Sequence, residues 1–207
     1  MELINTFDTL LSKDDKIRQQ ANSFLIDQIS NNPTFDIDLI ELYSTSNVSK
    51  YKNISLISIK TLVTMNFEGV QHNFQEFCER LRVLILNSFN YFEIKMLADI
   101  VYNIALKLLN DYQQDKVSEF LVEYLTLYQI QNNLIPFCIN LYSLIMQNKN
   151  FYLRCRTFLE EITSEIILVG LQWDNIEIKL YSIAIFSKIS KHVGDDFIDA
   201  HQEHIGI

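Results

Sequence analysis

Glycine and proline are scarce in this chain, with four glycines and two prolines in 207 residues, where average usage would give roughly 14 and 10. A β-sandwich, a barrel or a doubly wound sheet needs turn residues about every ten positions, and too few are present to make one. The glycines, Gly69, Gly170, Gly194 and Gly206, lie far apart, which excludes a glycine-rich phosphate loop. Basic charge is also short. The net charge is −9 and the pI is near 4.9, so the basic stripe that a nucleic-acid partner requires is lacking. Cysteine is limited to Cys78, Cys138 and Cys155, an odd number without CxxC spacing. They read as reduced core thiols of an intracellular protein. The longest apolar run covers about six residues near Ile166–Leu171, against the ~20 that span a bilayer. The start, Met1-Glu2-Leu3-Ile4-Asn5, has no basic residue, so no secretory signal is expected. Asn47-Val48-Ser49 and Asn53-Ile54-Ser55 are then chance matches to the glycosylation sequon. The expectation is a soluble cytosolic or nuclear protein with no membrane and no nucleic-acid partner.

What remains is apolar and periodic. Apolar residues make up 48% of the chain and charged residues 21%, enough for a folded core. Ile17-Arg18-Gln19-Gln20-Ala21 sets a pattern: an apolar anchor, a basic residue, any two residues, then a small one. It returns as Tyr51-Lys52-Asn53-Ile54-Ser55, Ile94-Lys95-Met96-Leu97-Ala98 and Ile178-Lys179-Leu180-Tyr181-Ser182. Ile135-Pro136-Phe137-Cys138-Ile139 is a degenerate copy in the one gap. The anchors at 17, 51, 94, 135 and 178 are spaced by 34, 43, 41 and 43 residues.

Each anchor opens an amphipathic helix. From Ile17, Ala21, Phe24, Leu25, Gln28 and Ile29 share one face; from Ile94, Ala98, Val101, Tyr102 and Ala105 do. A second helix is expected before each anchor, over Glu2–Leu11, Thr34–Ser44, Asn73–Ser88, Asp115–Tyr128 and Leu153–Gly170. Pro33 and Pro136 are placed near helix starts, where a missing N–H costs little, and Ser12 and Asp14 are N-cap candidates. Two helices per ~40 residues, repeated, is the signature of a helical solenoid. One helix pair cannot bury both of its apolar stripes, so each pair packs on the next. The small residue at anchor+4 lets neighbouring helices approach, and the basic residue at anchor+1 can reach a neighbouring acidic turn.

The expected fold is therefore all-α: a right-handed α-solenoid of about five HEAT-type antiparallel helix pairs plus the start of a sixth. HEAT is favoured over armadillo because no third short helix is apparent. The chain reads as one domain, 1–207, with repeats over about 1–31, 32–67, 68–112, 113–150 and 151–193 and a partial repeat over 194–207. Trp173 follows a helix end and is expected to pack between repeats.

Asp14-Asp15-Lys16-Ile17-Arg18-Gln19-Gln20-Ala21-Asn22-Ser23-Phe24-Leu25 resembles the first repeat of the importin-beta (karyopherin-beta) nuclear transport receptors. Pro33-Thr34-Phe35 with its apolar helix is similar to the family's second repeat, and Ile57-Ser58-Ile59-Lys60 sits where the family has a Leu-Lys-Asn element. Phe67-Glu68-Gly69-Val70 and Ile94-Lys95-Met96-Leu97-Ala98-Asp99-Ile100 resemble the third repeat of the branch that imports ribosomal proteins and histones. The likeness covers residues 1 to about 110; beyond that it rests on the repeat pattern. Asn22 replaces the usual Glu, Thr61 the usual Asn, and Pro136 a basic residue.

The resemblance implies the N-terminal arm of a longer receptor that shuttles between cytoplasm and nucleus. It implies binding of the GTPase Ran in its GTP form on concave second helices, with release of basic protein cargo. Phe-Gly nucleoporins are a further implied partner, mostly at later repeats. On the helical wheel, positions anchor+2, +5 and +9 project opposite the core. These are Gln19, Asn22 and Ile26; Asn53, Leu56 and Lys60; Met96, Asp99 and Asn103. Ile26, Leu56 and Met96 are apolar where water is expected, a mark of a protein-binding surface. Lys60 and Asp99 also match the family pattern.

The alternative is a general HEAT scaffold for assembling a protein complex. An enzyme is not expected, and neither is a cofactor or a metal. His201 and His204 share a helical face in the acidic tail, without the second ligand group that a metal site needs. Cys78 and Cys138 fall on apolar stripes and suit core packing.

Overall fold

The computed structural model describes residues 2–88, 90–110 and 114–193. These residues are helical almost throughout, with no strand among them, as expected of an all-α chain. The chain divides into two compact units, Met1–Ser88 and Phe89–Ile207. The division falls inside the expected third repeat, between its two helices.

In the first unit, α1 (Glu2–Leu10) is followed by α2 (Asp15–Asn31), α3 (Phe35–Thr45), α4 (Ser49–Met65), α5 (Phe67–Gln71) and α6 (Phe74–Leu86). The turn into α2 is built by capping. Asp14 Oδ1 accepts the Lys16 and Ile17 amides at 2.8 and 3.4 Å, and Ser12 Oγ accepts the Asp14 amide at 3.2 Å. Those bonds satisfy amides that have no partner within the helix. Pro33 lies in the turn before α3, two residues ahead of its first residue. α1 packs on α2 and α4, α2 on α4, and α3 on α4 and α6. Asn66 ties the second helices together: its amide donates to Ile29 O at 2.9 Å, while its Oδ1 accepts the Gly69 amide at 3.2 Å and so caps α5.

The second unit holds α7 (Tyr91–Asn110), α8 (Gln114–Leu125), α9 (Leu127–Ile130), a 3₁₀ turn (Asn132–Leu134), α10 (Ile135–Gln147), α11 (Lys149–Gln172) and α12 (Ile176–Val193). Here α7 packs on α10 and α10 on α12, while α8 packs on α11. α10 also packs on α11, and α11 on α12. α10 is the interior element, buried over most of its surface from Ile135 to Met146. Pro136 sits in its first turn, as expected. Asn148 Oδ1 accepts the Phe151 amide at 3.1 Å and starts α11 four residues ahead of the expected Leu153.

The small residue at anchor+4 is buried wherever it is present, at Ala21, Ser55, Ala98 and Ser182. Gly170 of α11 marks a close approach of helices. A Cβ there would lie 2.1 Å from Ser182 Oγ and 2.7 Å from Ile139 Cδ1, so α10, α11 and α12 converge on a site with no room for a side chain. The anchors themselves are less uniform. Ile94, Ile135 and Ile178 are buried. Tyr51 is half-buried and donates its hydroxyl to Asp8 Oδ1 at 2.8 Å. Ile17 is 41% exposed, because α2 buries Ala21, Leu25 and Ile29 and its first turn projects past that line. α5 is a third short helix ahead of α6 and α7, where the sequence showed none, so the ground for preferring HEAT over armadillo does not hold there; α9 breaks off near the end of the helix expected over Asp115–Tyr128.

Candidate functional site

The residues nominated on the second helices fall in both units. In the first, Gln19 and Asn22 of α2 are exposed and line a groove of about 250 Å³ with Leu10, Asp15 and Arg18. Arg18 pairs with Asp15 and donates to Ser12 O at 2.8 Å. The anchor+1 cation thus holds its own turn instead of reaching a neighbouring one. Ile26, one further turn along, is half-buried. On α4, Asn53 and Lys60 are half-buried, and the anchor+1 cation Lys52 lies 5.0 Å from the Tyr43 ring centroid.

Leu56 departs from the expectation of a water-facing position: it is fully buried. α4 is contacted by α1, α2, α3 and α5, so its buried arc widens to Ser55, Leu56, Ser58, Ile59, Leu62 and Val63. Leu56 is a core residue and leaves the set of contact candidates.

In the second unit, Met96, Asp99 and Asn103 are half-buried on successive turns of α7. The Asn103 amide donates to Asp99 O at 2.7 Å and to Asp99 Oδ1 at 3.2 Å, orienting the carboxylate. Asp99 lines a cleft of about 200 Å³ with Lys95, Asn140, Ser143, Leu144, Gln147 and Tyr181. The cleft therefore draws on α7, α10 and α12 together.

Lys95 closes one end of the cleft. Its ammonium pairs with Glu177 in the first turn of α12. It also lies 4.5 Å from the Tyr91 ring centroid and 5.6 Å from that of Tyr181, within reach of the negative ring faces. Tyr181 donates its hydroxyl to Glu177 Oε1 at 3.1 Å. The hydrogen bond with Glu177 holds the Lys95 ammonium charged well above the usual lysine range. The same bond holds the Glu177 carboxyl below the usual carboxylate range. Burial pushes the Tyr91 hydroxyl up. Lys95 thus reaches an acidic turn, but in the fifth expected repeat and not in the neighbouring fourth.

The wheel register extends to helices where it was not applied. In α10, anchor+2 and anchor+5 are Phe137 and Asn140, both buried beneath flanking helices. In α12 they are Leu180 and Ile183, at 56% and 53% exposure, beside Ile176 at 72%. This apolar stripe on α12 is the strongest exposed one in the register. The same spacing that nominated Met96 would have found it, had the wheel been drawn for the fifth anchor.

Cys138 and Cys155 are buried, as core thiols should be; Cys78 is half-buried, at the edge of the α6 line formed by Phe77, Leu81, Leu84 and Ile85. Trp173 is half-buried at the C-cap of α11. Among the described residues no group of three or more His, Cys, Asp or Glu is placed to hold a metal ion, and no helix is long and apolar enough to cross a membrane. The start of a sixth repeat over 194–207, with His201 and His204, lies outside the described residues.

No protein-family model matches this chain, and no curated protein matches it. Among solved structures, the crystal structure of an engineered protein aligns over 92% of this chain and 99% of its own length, at 17% identity with a TM-score of 0.37. That likeness is too slight to inform fold or function.

Proposed function

We propose that this chain is the N-terminal arm of an importin-beta-like nuclear transport receptor, a right-handed solenoid of about five HEAT-type repeats with the opening of a sixth. Its second helices bind Ran in the GTP form, and that binding controls release of basic protein cargo as the receptor moves between cytoplasm and nucleus. Phe-Gly nucleoporins are the further partner. The observation that supports this reading is the register of the anchors. Ile17, Tyr51, Ile94, Ile135 and Ile178 each fall within the first turn of α2, α4, α7, α10 and α12. An acid-capped turn precedes the first of these helices, as in the family's first repeat.

Within that reading, Gln19 and Asn22 are exposed, and the side chains of Ile26, Asn53, Lys60, Met96, Asp99 and Asn103 are half-buried. Binding is tested by titrating the full chain with Ran loaded with a non-hydrolysable GTP analogue and, separately, with GDP. Micromolar or tighter affinity for the GTP form, with none for the GDP form, is the expected outcome. Equal affinity for both forms, or none for either, would leave the chain a general HEAT scaffold for complex assembly.

A further inference from the structure

α12 packs on α10 and α11 and buries Ile178, Ser182, Ile185 and Ile189. Its opposite face is not polar, as the outer face of an amphipathic helix ordinarily is. Ile176, Leu180 and Ile183 stand exposed there, at the i, i+4, i+7 spacing that sets side chains in one row. Ala184 and Ser187, also exposed, continue the face with small side chains, so the row of large ones ends on a shallow shelf.

The charge bordering this face has one sign. From Ile178 to Val193 the helix carries three lysines and no acidic residue, in a chain whose net charge is −9. The acid of its first turn, Glu177, is paired with Lys95, and Asp174 stands in the turn ahead of the helix. Lys179 lies one turn from both Ile176 and Ile183. Lys188 follows Ala184 by one turn, and Lys191 follows Ser187 by one turn. Cations therefore edge the apolar row along one side and beyond its far end.

That pattern selects among occupants. Two copies joined through this face would set lysine against lysine. An anionic bilayer would meet a broad surface of a net-negative protein along with the three lysines. A short segment meets only the charges within a Debye length, about 8–10 Å. An acidic segment with large apolar side chains between its carboxylates matches both the row and its border.

We propose that the exposed face of α12 is a docking site for an acidic segment of another protein. Its large apolar side chains seat on Ile176, Leu180 and Ile183, and its carboxylates meet Lys179, Lys188 and Lys191. None of these six residues is among the positions proposed for Ran, and the inference does not rest on that reading.

The probe is a dye-labelled peptide, Glu-Leu-Phe-Glu-Glu-Leu-Leu-Glu, titrated with the full chain and read by fluorescence anisotropy. Glu-Ser-Ser-Glu-Glu-Ser-Ser-Glu and Gln-Leu-Phe-Gln-Gln-Leu-Leu-Gln serve as comparisons. The expected result is saturable binding of the first peptide and at least about tenfold weaker binding of the other two. Joint Lys179→Glu and Lys191→Glu replacement should weaken the acidic peptide by about tenfold or more. Leu180→Ser with Ile183→Ser should weaken it without any change of charge. Both of those side chains are more than half exposed, so the fold should persist, which circular dichroism checks. Val83→Ser, at a comparably exposed site on α6, should leave binding unaltered. No saturable binding up to about 1 mM would overturn the proposal. So would equal affinity for either comparison peptide, or indifference to the lysine reversal. Binding that appears only after Phe197→Ser with Ile198→Ser would assign the face to the chain's own residues 194–207. Dimerisation abolished by Leu180→Ser with Ile183→Ser would assign it to a second copy. Uptake on phosphatidylserine vesicles, abolished by the lysine reversal, would assign it to a lipid surface. Each of these three results would overturn the proposal.

Discussion

Lys95 of α7 and Glu177 of α12, 82 residues apart in sequence, meet as an ion pair between the rings of Tyr91 and Tyr181. The pair joins two helices that both pack on α10. Because the folded Glu177 carboxyl titrates below its ordinary range, its contribution is fully present above that range and is lost as pH falls through the lowered folded value. Because Lys95 titrates above its ordinary range, its contribution persists through neutral and mildly alkaline pH. Glu177→Gln should therefore lower Tm at pH 7, and the gap to the parent should close on acidification below about pH 4. Added salt should narrow it as well, since both side chains are partly exposed. Melting curves from acid to neutral pH, with and without salt, check this; a gap that does not change with pH would refute it.

Gly170 leaves no room for a methyl group, with Ser182 Oγ and Ile139 Cδ1 both closer than any contact allows. Gly170→Ala should cost about 1–3 kcal/mol through overpacking, despite the higher helix propensity of alanine. Adding Ser182→Ala should recover only part of this, because Ile139 remains. Urea midpoints of the single and double variants measure both effects.

How much of this was legible in sequence varies by element. α2, α4, α7, α10 and α12 begin within three residues of their anchors, because each carries several turns of a 3.6-residue stripe. α5 and α9 have five and four residues, too short to display a period. Burial of Leu56 was hidden because a wheel shows one helix's own apolar arc, whereas α4 is covered from several sides. Lys95 was marked as a cation able to reach an acid, but its partner on α12 is set by tertiary packing that no local spacing records.

Leu56→Ala separates core from contact surface. Its side chain is fully enclosed, so the loss should be about 2–5 kcal/mol of stability. Affinity for Ran in its GTP form, measured on the folded fraction, should not change. Lys60→Glu and Asp99→Lys should behave in the opposite way, weakening Ran binding with smaller effects on Tm. Parallel thermal and binding titrations of the three variants distinguish the two patterns.

Thiol reactivity should divide the cysteines. Burial pushes the Cys138 thiol up to about 12 and the Cys155 thiol up to about 11, so little thiolate is present at pH 8 and access is blocked. Cys78 is half-buried. A chromogenic disulfide reagent at pH 8 should titrate one thiol rapidly in native protein and the other two only after denaturant is added. Rapid titration of all three would contradict the burial of α10 and α11.

The most direct test of the proposed role is hydrogen–deuterium exchange of the full chain with and without Ran bound to a non-hydrolysable GTP analogue. Slowed exchange in peptides from α2, α4 and α7, absent when the GDP form is added, is the expected result. Unchanged exchange throughout, or protection confined to α1, α3 and α6, would contradict recognition of Ran by the second helices.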